Sequence, residues 1–369
     1  MRVGIDATYL LTPHKSGVET YTLNLVRALL ALPEAPETFL YAAAPQDVSE
    51  DAAPLLQAAV RTRVSRVPRL WLRARMPLWM GWDRVQVAHF PGTLLPTWLP
   101  CPAVVTFYDM ASRRYPELYD PAELGLYETL IPAAARRAAV VLAISEATKR
   151  DVVEFLGVAP EKVFVTPLGV DARFAPVQGA ADIVARRFGP TSPYVLACVG
   201  SGHARKNLRG VVEAFSQLED RGIHLAIVGA AGRDPAALAA IAASPARERI
   251  HQLGHVAEED LPAIYSAAGV FCFPSLYEGF GLPVLEAMAC GTPVVCANAS
   301  SLPEVAGEAA VMVAPEDTGG IAAALAALMG DEAWRRALSD AGLARAREFT
   351  WERCARLTLR AYEAAAGLE

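Results

Sequence analysis

Short apolar runs alternate along the chain with segments in which apolar residues recur every three or four positions. The first run, RVGID at residues 2–6, precedes residues 17–32, whose apolar side chains have helix spacing: Val18, Tyr21, Leu25, Leu29 and Leu32. More strand-length runs and helix patterns follow: strands at 38–43, 86–90, 103–107 and 139–144, and helices at 121–137 and 146–155. Such alternation predicts a parallel sheet with helices on both faces.

The same alternation begins again after a proline-containing stretch. Residues 172–193 hold Pro176, Pro190 and Pro193 and no long apolar run, so they predict a domain boundary. Further patterns follow: strands at 194–199, 224–228, 250–253, 270–273 and 293–296, and helices at 207–218, 260–267, 282–290 and 318–329. We therefore predict two doubly wound α/β domains, at residues 1–175 and 190–350. The amphipathic segment 351–369 either closes the second domain or returns to the first.

Composition and charge narrow the class of protein. A chain of 369 residues with 53% hydrophobic and 20% charged residues is typical of a folded two-domain protein. A net charge of −6 argues against a nucleic-acid-binding protein. Six cysteines form no C-x-x-C pair and no zinc spacing, which indicates reduced thiols and a cytoplasmic location. The N-terminus does not resemble a signal peptide, and no apolar run has the length of a membrane span.

The densest chemical signal is PSLYEGFGLPVLEAMACG, at residues 274–291. Gly279 and Gly281 favour a turn with exposed backbone N–H groups, and Pro283 suits the first turn of a helix. A loop of this kind after a parallel strand can bind anions. Glu278 and Glu286 flank the loop and can accept hydrogen bonds from vicinal hydroxyls of a sugar or ribose. A plain strand–helix turn with surface glutamates explains the loop alone equally well.

A second candidate lies at residues 200–208, GSGHARKNL, between a predicted strand and a predicted helix. Arg205 offers a planar fork and Lys206 a point charge, and together they can neutralise a diphosphate. Negative charge develops on such a group when it leaves. A solvated basic turn is the alternative interpretation of this pair taken alone.

The two motifs occur in a chain that resembles a known family from end to end. The pattern E-x7-E with GFGLP inside resembles the signature of the retaining glycosyltransferases of family 4, which have the two-domain GT-B fold. Further segments resemble other markers of that family: SGVETYTLNL, ISEAT, PLGVDARF, ARKNL and SSLPEVAGEAA. The resemblance implies two Rossmann-like domains facing a cleft, with donor bound mostly by the C-terminal domain and acceptor by the N-terminal one.

The resemblance also implies an activity. The expected reaction moves a hexosyl unit from a nucleotide-sugar donor to a glycan or polyprenyl-linked acceptor in cell-surface polysaccharide synthesis. Mannose from GDP-mannose is favoured, and UDP-glucose and other UDP sugars stay open. No cofactor and no metal are expected, because basic side chains and loop amides supply the positive field. Two alternatives remain: a non-catalytic nucleotide-sugar-binding partner subunit and a nucleotide-sugar epimerase on the same fold.

The family's roles carry over to particular residues. Glu286 is expected to hold the nucleotide ribose and Glu278 to approach the donor sugar, while Arg205 and Lys206 meet the diphosphate. Gly17 is expected near the donor phosphate, although it also suits a helix start capped by Ser16. The remaining expected contacts are the loop backbone and the nucleotide base: Gly279, Phe280, Gly281 and Leu282 for the loop, and His255 and Val256 for the base.

One position departs from the family pattern. Family members carry a histidine after the strand at 103–107, close to the donor sugar, whereas this chain has Tyr108 followed by Asp109. A tyrosine hydrogen-bonds to a sugar hydroxyl but is a poor general base at neutral pH. The family's front-face displacement needs positioning and charge stabilisation more than a protein base. Tyr108 therefore puts the identity of the sugar and full activity in doubt.

Residues 61–84, RTRVSRVPRLWLRARMPLWMGWDR, combine seven arginines and three tryptophans with one acid, Asp83. Arginine and tryptophan together suit peripheral contact with an anionic membrane surface, such as the inner face of the cytoplasmic membrane. The alternative, slightly favoured, is a helix that packs Trp71, Trp79 and Trp82 inside the domain, with arginine stems covering it.

Overall fold

The chain folds into two units, each built on one parallel sheet. The computed structural model describes residues 1–11, 17–43, 52–65, 70–190 and 193–368. The first unit comprises Met1–Gly169 and Thr350–Glu369, and the second comprises Val170–Phe349. The backbone N–H of Val170 donates to the carbonyl of Phe349 at 3.1 Å, so the two ends of the second unit lie together.

Seven strands form the sheet of the first unit: β1 (Arg2–Asp6), β2 (Glu37–Ala43), β3 (Arg61–Ser65), β4 (Val87–Phe90), β5 (Ala103–Phe107), β6 (Val140–Ala143) and β7 (Val163–Val165). Their order is β3-β2-β1-β4-β5-β6-β7, and every described pair is parallel. The order reverses direction between β1 and β4, which makes the carboxyl ends of these two strands the place where a ligand is expected.

Helices cover this sheet: Gly17–Ala31, Ala53–Ala58, Met76–Trp82, Ala111–Arg114, Pro121–Arg137, Glu146–Leu156 and Trp351–Ala366. The C-terminal helix Trp351–Ala366 packs against Gly17–Ala31 and strands β4, β5 and β6. Of the two placements open to this segment, the return to the first unit is therefore the observed one. Its tyrosine at 362 and its cysteine at 354 are fully buried there.

Six strands form the sheet of the second unit: β8 (Tyr194–Gly200), β9 (His224–Gly229), β10 (Ile250–Gly254), β11 (Val270–Phe273), β12 (Val294–Ala297) and β13 (Val311–Val313). Their order is β10-β9-β8-β11-β12-β13, again parallel, with the reversal between β8 and β11. Helices flank it: Ala180–Phe188, Leu208–Phe215, Pro235–Ala243, Leu261–Ala267, Leu282–Ala289, Leu302–Ala306, Thr318–Gly330 and Glu332–Ala346.

The predicted elements agree with the structure where an apolar run is long, and the structure adds elements that the pattern did not indicate. Three short strands were missed: β3, β7 and β13. The predicted boundary stretch 172–193 lies in the second unit and contains the helix Ala180–Phe188, which packs against Leu261–Ala267. The chain passes between the units at Gly169, a few residues before that stretch.

All six cysteines are free thiols, and four of them are buried. Among the described helices, none combines the length and the apolar character needed to cross a membrane.

Candidate active site

Two loops of the second unit meet at the place where its strand order reverses. Strands β8 and β11 are hydrogen-bonded neighbours, so the loops that follow them, at residues 201–207 and 274–281, begin side by side. Each loop leads to the first turn of a helix, Leu208–Phe215 or Leu282–Ala289. Free N–H groups and the positive ends of two helix dipoles are therefore available at one edge of the sheet.

A partly buried ion cluster joins these loops. Lys206 Nζ lies 2.7 Å from Glu278 Oε1, and Arg205 Nη1 lies 2.9 Å from Glu278 Oε2. Burial raises the pKa of Glu278, but the charges of Lys206 and Arg205 outweigh it and lower this pKa to about 2. The carboxylate is therefore ionised at neutral pH, and the cluster has one positive charge in excess.

Backbone contacts between the loops fix the cluster. Arg205 Nη1 donates to the carbonyl of Tyr277 at 2.9 Å, and the N–H of Leu276 donates to the carbonyl of Arg205 at 2.8 Å. Lys206 Nζ also lies over the ring of Phe273, 4.9 Å from its centre. Because both cations are held from several sides, they meet an incoming anion with little rearrangement.

The glycine loop takes a conformation that its sequence permits. Gly281 has φ +113°, and a Cβ atom there would lie 2.6 Å from the side chain of Leu302. Ser301 Oγ lies 2.9 Å from the carbonyl oxygen of Glu278 and 2.7 Å from that of Phe280, so its one proton is shared between them. These contacts turn the loop carbonyls towards Ser301.

The backbone N–H groups of the same loop are left available. Phe280, Gly281 and Leu282 donate their backbone N–H groups to no acceptor among the described residues. The side chain of Phe280 is buried and packs edge-on against Phe349, with ring centres 5.9 Å apart. Its side chain thus anchors the loop, while the backbone presents donors, as expected for an anion-binding turn.

Glu286 lies on the helix that follows the loop and is half-buried. Tyr265 donates its hydroxyl to Glu286 Oε2 at 2.9 Å. Burial raises the pKa of Glu286 to about 7, with the hydrogen bond from Tyr265 and the charge of Arg173 opposing the rise and Glu258 adding to it. The side chain is therefore balanced between its neutral and ionised forms near neutral pH, as suits a group that exchanges hydrogen bonds with hydroxyls.

Asn207 ties the basic turn to its helix, a role that the sequence motif did not indicate. It has φ +54°, and its Oδ1 accepts the N–H of Gly210 at 3.2 Å as the helix cap. Its Nδ2 donates to the carbonyls of Pro274 at 3.1 Å and Pro315 at 2.6 Å. His203 Nδ1 accepts the N–H of Arg205 at 3.4 Å. Asn207 therefore holds the turn against the loop that follows β11.

The predicted base-binding pair follows a different strand from the residues of this cluster. His255 and Val256 follow β10, the edge strand of the sheet, with His255 exposed and Val256 buried. The structure shows no described contact that links either residue to Glu278 or Glu286. Their role stays a prediction from the resemblance.

In the first unit, Gly17 begins the helix Gly17–Ala31, and a Cβ atom there would touch nothing within 4 Å. Lys15 and Ser16, the rest of the predicted loop, lie outside the described residues. Asp109 Oδ1 accepts the N–H of Ala111 at 3.0 Å and so caps a short turn. Of these first-unit residues, Gly17 is the one whose space is open to a neighbouring group.

The hydroxyl of Tyr108 is buried and has no partner among the described residues. Its ring packs edge-on against Tyr21, with ring centres 5.4 Å apart. Burial raises the pKa of Tyr108 well above its ordinary value, with the nearby phenol of Tyr21 adding to the rise. Tyr108 is therefore neutral and cannot act as a base at neutral pH, but its hydroxyl can donate a hydrogen bond to a ligand.

Three histidines take part in structural hydrogen bonds. His89 Nδ1 lies 2.7 Å from the hydroxyl of Tyr362, and its Nε2 lies 2.8 Å from Thr106 Oγ1, which also meets Tyr21 at 3.1 Å. Burial lowers the pKa of His89 to about 3, so it is neutral and links the C-terminal helix to the sheet. In the second unit, His224 Nδ1 and His251 Nε2 lie 2.8 Å apart across β9 and β10.

Comparison with known proteins identifies the family of this chain. A family model described as "Glycosyltransferase Family 4" matches residues 15–174, and one described as "Glycosyl transferases group 1" matches residues 193–331. The O-antigen chain mannosyltransferase B of Escherichia coli is 31% identical over 366 residues, which cover 94% of this chain and 96% of that protein. The chain is a family 4 glycosyltransferase.

Solved structures of similar shape place this glycosyltransferase in the GT-B fold. Sucrose-phosphate synthase from Thermosynechococcus elongatus superposes with a TM-score of 0.75 at 20% identity, covering 98% of each chain. HepE of Anabaena, solved in complex with UDP-glucose, has a TM-score of 0.75 at 17% identity, covering 97% of this chain and 98% of that one. The α/β architecture predicted from the sequence is thereby confirmed.

Sequence reasoning missed the side chains that support the site in the second unit of this glycosyltransferase, and one buried acid in the first unit. Ser300 accepts the N–H of Glu278 at 2.9 Å, next to Ser301, and Tyr265 holds Glu286. In the first unit, Asp6 ends β1 at the strand reversal, buried, with Oδ1 accepting both the N–H and the hydroxyl of Thr8 at 3.1 and 2.6 Å. Burial raises the pKa of Asp6 to about 6. An acid that ends a buried strand was the signal available for Asp6.

Proposed function

We propose that this glycosyltransferase moves a hexosyl unit from a nucleotide sugar to a glycan or polyprenyl-linked acceptor, with retention of the anomeric configuration. The observation that carries the proposal is the partly buried cluster of Arg205, Lys206 and Glu278, which adjoins the loop with the available amides of Phe280, Gly281 and Leu282 and the helix that carries Glu286. A donor offers a diphosphate to the cations and amides and a ribose to Glu286, so one ligand satisfies all of these groups.

The charges favour departure of a nucleoside diphosphate. As the bond between the sugar carbon and the diphosphate breaks, negative charge grows on the phosphate oxygen, and fixed cations stabilise it without reorganising. The acceptor oxygen attacks the same face, its proton passes to the leaving phosphate, and the new glycosidic bond forms. A side-chain base is not required, which agrees with the neutral Tyr108.

For the donor, GDP-mannose is our first choice. The relative that covers almost the whole chain is named an O-antigen mannosyltransferase, which supports mannose as the sugar and polysaccharide synthesis as the setting. UDP-glucose is the second choice, since the Anabaena neighbour was solved with it. We further propose that no metal ion takes part, because Arg205 and Lys206 supply positive charge where the diphosphate is expected.

A panel of nucleotide sugars tests the proposal. Thermal shifts and isothermal titration with GDP, UDP and their sugars identify the donor, since a ligand of the folded state raises its melting temperature. Transfer to a polyprenyl-linked or free glycan acceptor is then followed by NMR of the product, in which an inverted anomeric centre would contradict retention. Full activity after EDTA treatment is the expected outcome for metal independence. Tight donor binding with neither transfer nor donor hydrolysis would instead favour a non-catalytic partner subunit. The replacement of the family's histidine by Tyr108 would then account for the missing activity.

A further inference from the structure

The stretch from Val60 to Trp98 of the first unit leaves many large apolar side chains in solvent. Seven of the ten exposed large hydrophobic residues in the described parts of the chain fall within it. Trp82 is 69% exposed and Trp98 is 43% exposed, although tryptophans usually pack inside. A concentration of this kind marks an interaction surface, because isolated exposed hydrophobics would be scattered.

These side chains lie on two segments that run side by side. Leu78 and Trp82 stand one turn apart on the helix Met76–Trp82, and Leu94 and Trp98 are four residues apart in the segment that follows β4. Trp98 Nε1 donates to the carbonyl of Arg73 at 3.1 Å, which ties the second segment to the start of the first. We call Leu70, Arg73, Leu78, Trp82, Leu94 and Trp98 the Trp82–Trp98 surface.

The opposite sides of both segments are fixed in the core. Trp71, Met76 and Met80 are buried, and Leu95 and Leu99 pack against the same apolar cluster. The interpretation favoured from the sequence placed Trp71, Trp79 and Trp82 together inside the domain. Trp71 is buried and Trp79 is half-buried against the core, as predicted, whereas Trp82 is exposed. The outward side chains therefore stand on a rigid base, and their exposure is a property of the fold.

The charge around the Trp82–Trp98 surface indicates the kind of partner that it binds. Residues 52–108 contain seven arginines and a single acid, Asp83, in a chain whose net charge is −6. Asp83 is buried and already holds Arg61 at 2.8 Å and Arg63 at 2.7 Å. Arg73 and Arg84, both exposed, have no acidic partner among the described residues. Arg73 within the Trp82–Trp98 surface, and Arg84 two residues after Trp82, thus place positive charge at this surface of an acidic protein.

We propose that the Trp82–Trp98 surface docks this protein on an anionic lipid bilayer. Its indole rings and leucines enter the headgroup region, while Arg73 and Arg84 meet lipid phosphates. Association with a second copy through the same face would bring the arginines of both copies together, because a twofold interface pairs a patch with itself. The proposal does not depend on which nucleotide sugar is the donor.

Co-sedimentation with vesicles of defined composition tests the proposal. The wild type is expected to pellet with vesicles of phosphatidylglycerol and phosphatidylcholine, and not with phosphatidylcholine alone. Trp82→Ser with Trp98→Ser should weaken partitioning by about tenfold for each tryptophan, from the apolar area withdrawn. Arg73→Glu with Arg84→Glu should weaken it by at least roughly fivefold for each side chain. Circular dichroism confirms that the exposed substitutions leave the fold intact.

Matched controls lie on the second unit. Trp334 is 38% exposed and stands beside Asp331 and Glu332, so Trp334→Ser should leave partitioning unchanged. The pair Arg186→Glu and Arg221→Glu makes the same change of net charge at exposed positions of that unit. Equal loss in these controls would overturn the assignment to the Trp82–Trp98 surface.

Two further results would overturn the proposal itself. The first is a wild type that stays in the supernatant with anionic vesicles at low salt. The second is a dimer in vesicle-free solution, detected by light scattering, that Trp82→Ser dissociates, because the surface would then be occupied by a second copy.

Discussion

Lys206 and Glu278 are 72 residues apart in the chain, and their side-chain atoms lie 2.7 Å apart at the carboxyl edge of the second sheet. The pair exists because the fold places β8 beside β11. Glu278 also binds Arg205, so one buried carboxylate keeps two cations in place that would otherwise repel each other. The same arrangement leaves a single positive charge in excess for the leaving diphosphate.

Lys206→Ala should lower kcat by about a hundredfold or more, the usual effect of removing a fixed group that stabilises transition-state charge. Arg205 still neutralises Glu278, so the variant should stay folded. The control is Arg209→Ala, which removes an exposed cation of the neighbouring helix that pairs with Glu213. Steady-state kinetics at saturating donor makes the comparison, and near-normal turnover in the Lys206 variant would remove the diphosphate assignment.

Glu286→Gln should stabilise the protein at high pH. The pKa of Glu286 is raised to about 7 in the folded state, above its ordinary value of 4.5, so the native state binds more protons than the unfolded state between these pH values. Its contribution to stability is therefore full below about pH 4.5 and is lost as pH rises through about 7. At pH 8 the glutamine variant should gain on the order of 1–3 kcal/mol in unfolding free energy, and nothing at pH 4.5.

Urea unfolding at several pH values measures this difference, with the exposed Glu219→Gln as control. The same Glu286 variant should bind nucleotide more weakly, because an amide accepts hydrogen bonds from the ribose less well than a carboxylate. A variant that gains no stability at pH 8 would contradict the burial argument. A variant that keeps full nucleotide affinity would contradict the ribose assignment.

Gly281→Ala and Gly17→Ala should differ in their effect on stability. At Gly281 the added methyl group meets Leu302 and the backbone has φ +113°, so we expect a loss of roughly 1–3 kcal/mol in stability along with activity. At Gly17 the methyl group has open space, so the melting temperature should hold. If the donor phosphate lies there, Gly17→Ala still lowers activity. Differential scanning fluorimetry beside a transfer assay separates the two outcomes, and unchanged activity would remove Gly17 from the site.

Tyr108→Phe removes a buried hydroxyl that has no described partner. Stability should stay the same or rise by about 1 kcal/mol, because nothing is lost in the folded state. If the hydroxyl binds a sugar, kcat/KM should fall by roughly tenfold. Tyr21→Phe is the matched control: its hydroxyl meets Thr106 at 3.1 Å, so this change should lower stability. Unaltered kinetics in the Tyr108 variant would mean that this position does not touch substrate.

The sequence predicted those elements whose signal is local. Strand β11 and the helix Pro121–Arg137 have the predicted ends, because an apolar run and helix spacing can be found in a few consecutive residues. Strand β3 was missed because its alternate residues Arg61 and Arg63 look like solvent-facing positions. Their partner is Asp83, about twenty residues further along, and the sequence does not indicate that this acid is buried.

The candidate site also has features that the sequence predicted and features that it did not. The loop motifs predicted which residues gather at the edge of the second sheet, and the structure brings Arg205, Lys206 and Glu278 together. It does not place His255 among them. The support from Ser301 and Tyr265 could not be predicted, since a serine or tyrosine far along the chain has no spacing that points to its partner. The substrate roles of all these residues stay predictions.

The C-terminal helix, which the hydrogen bond between His89 and Tyr362 joins to the first sheet, sets the order in which the two units can be completed during synthesis. The second unit has all of its strands and helices once residue 349 has left the ribosome, and Val170 and Phe349 can then close it. The first unit begins to emerge earlier but still lacks the helix that carries Tyr362, which packs against strands β4, β5 and β6. The half of the protein that is translated first is therefore the half that finishes folding last.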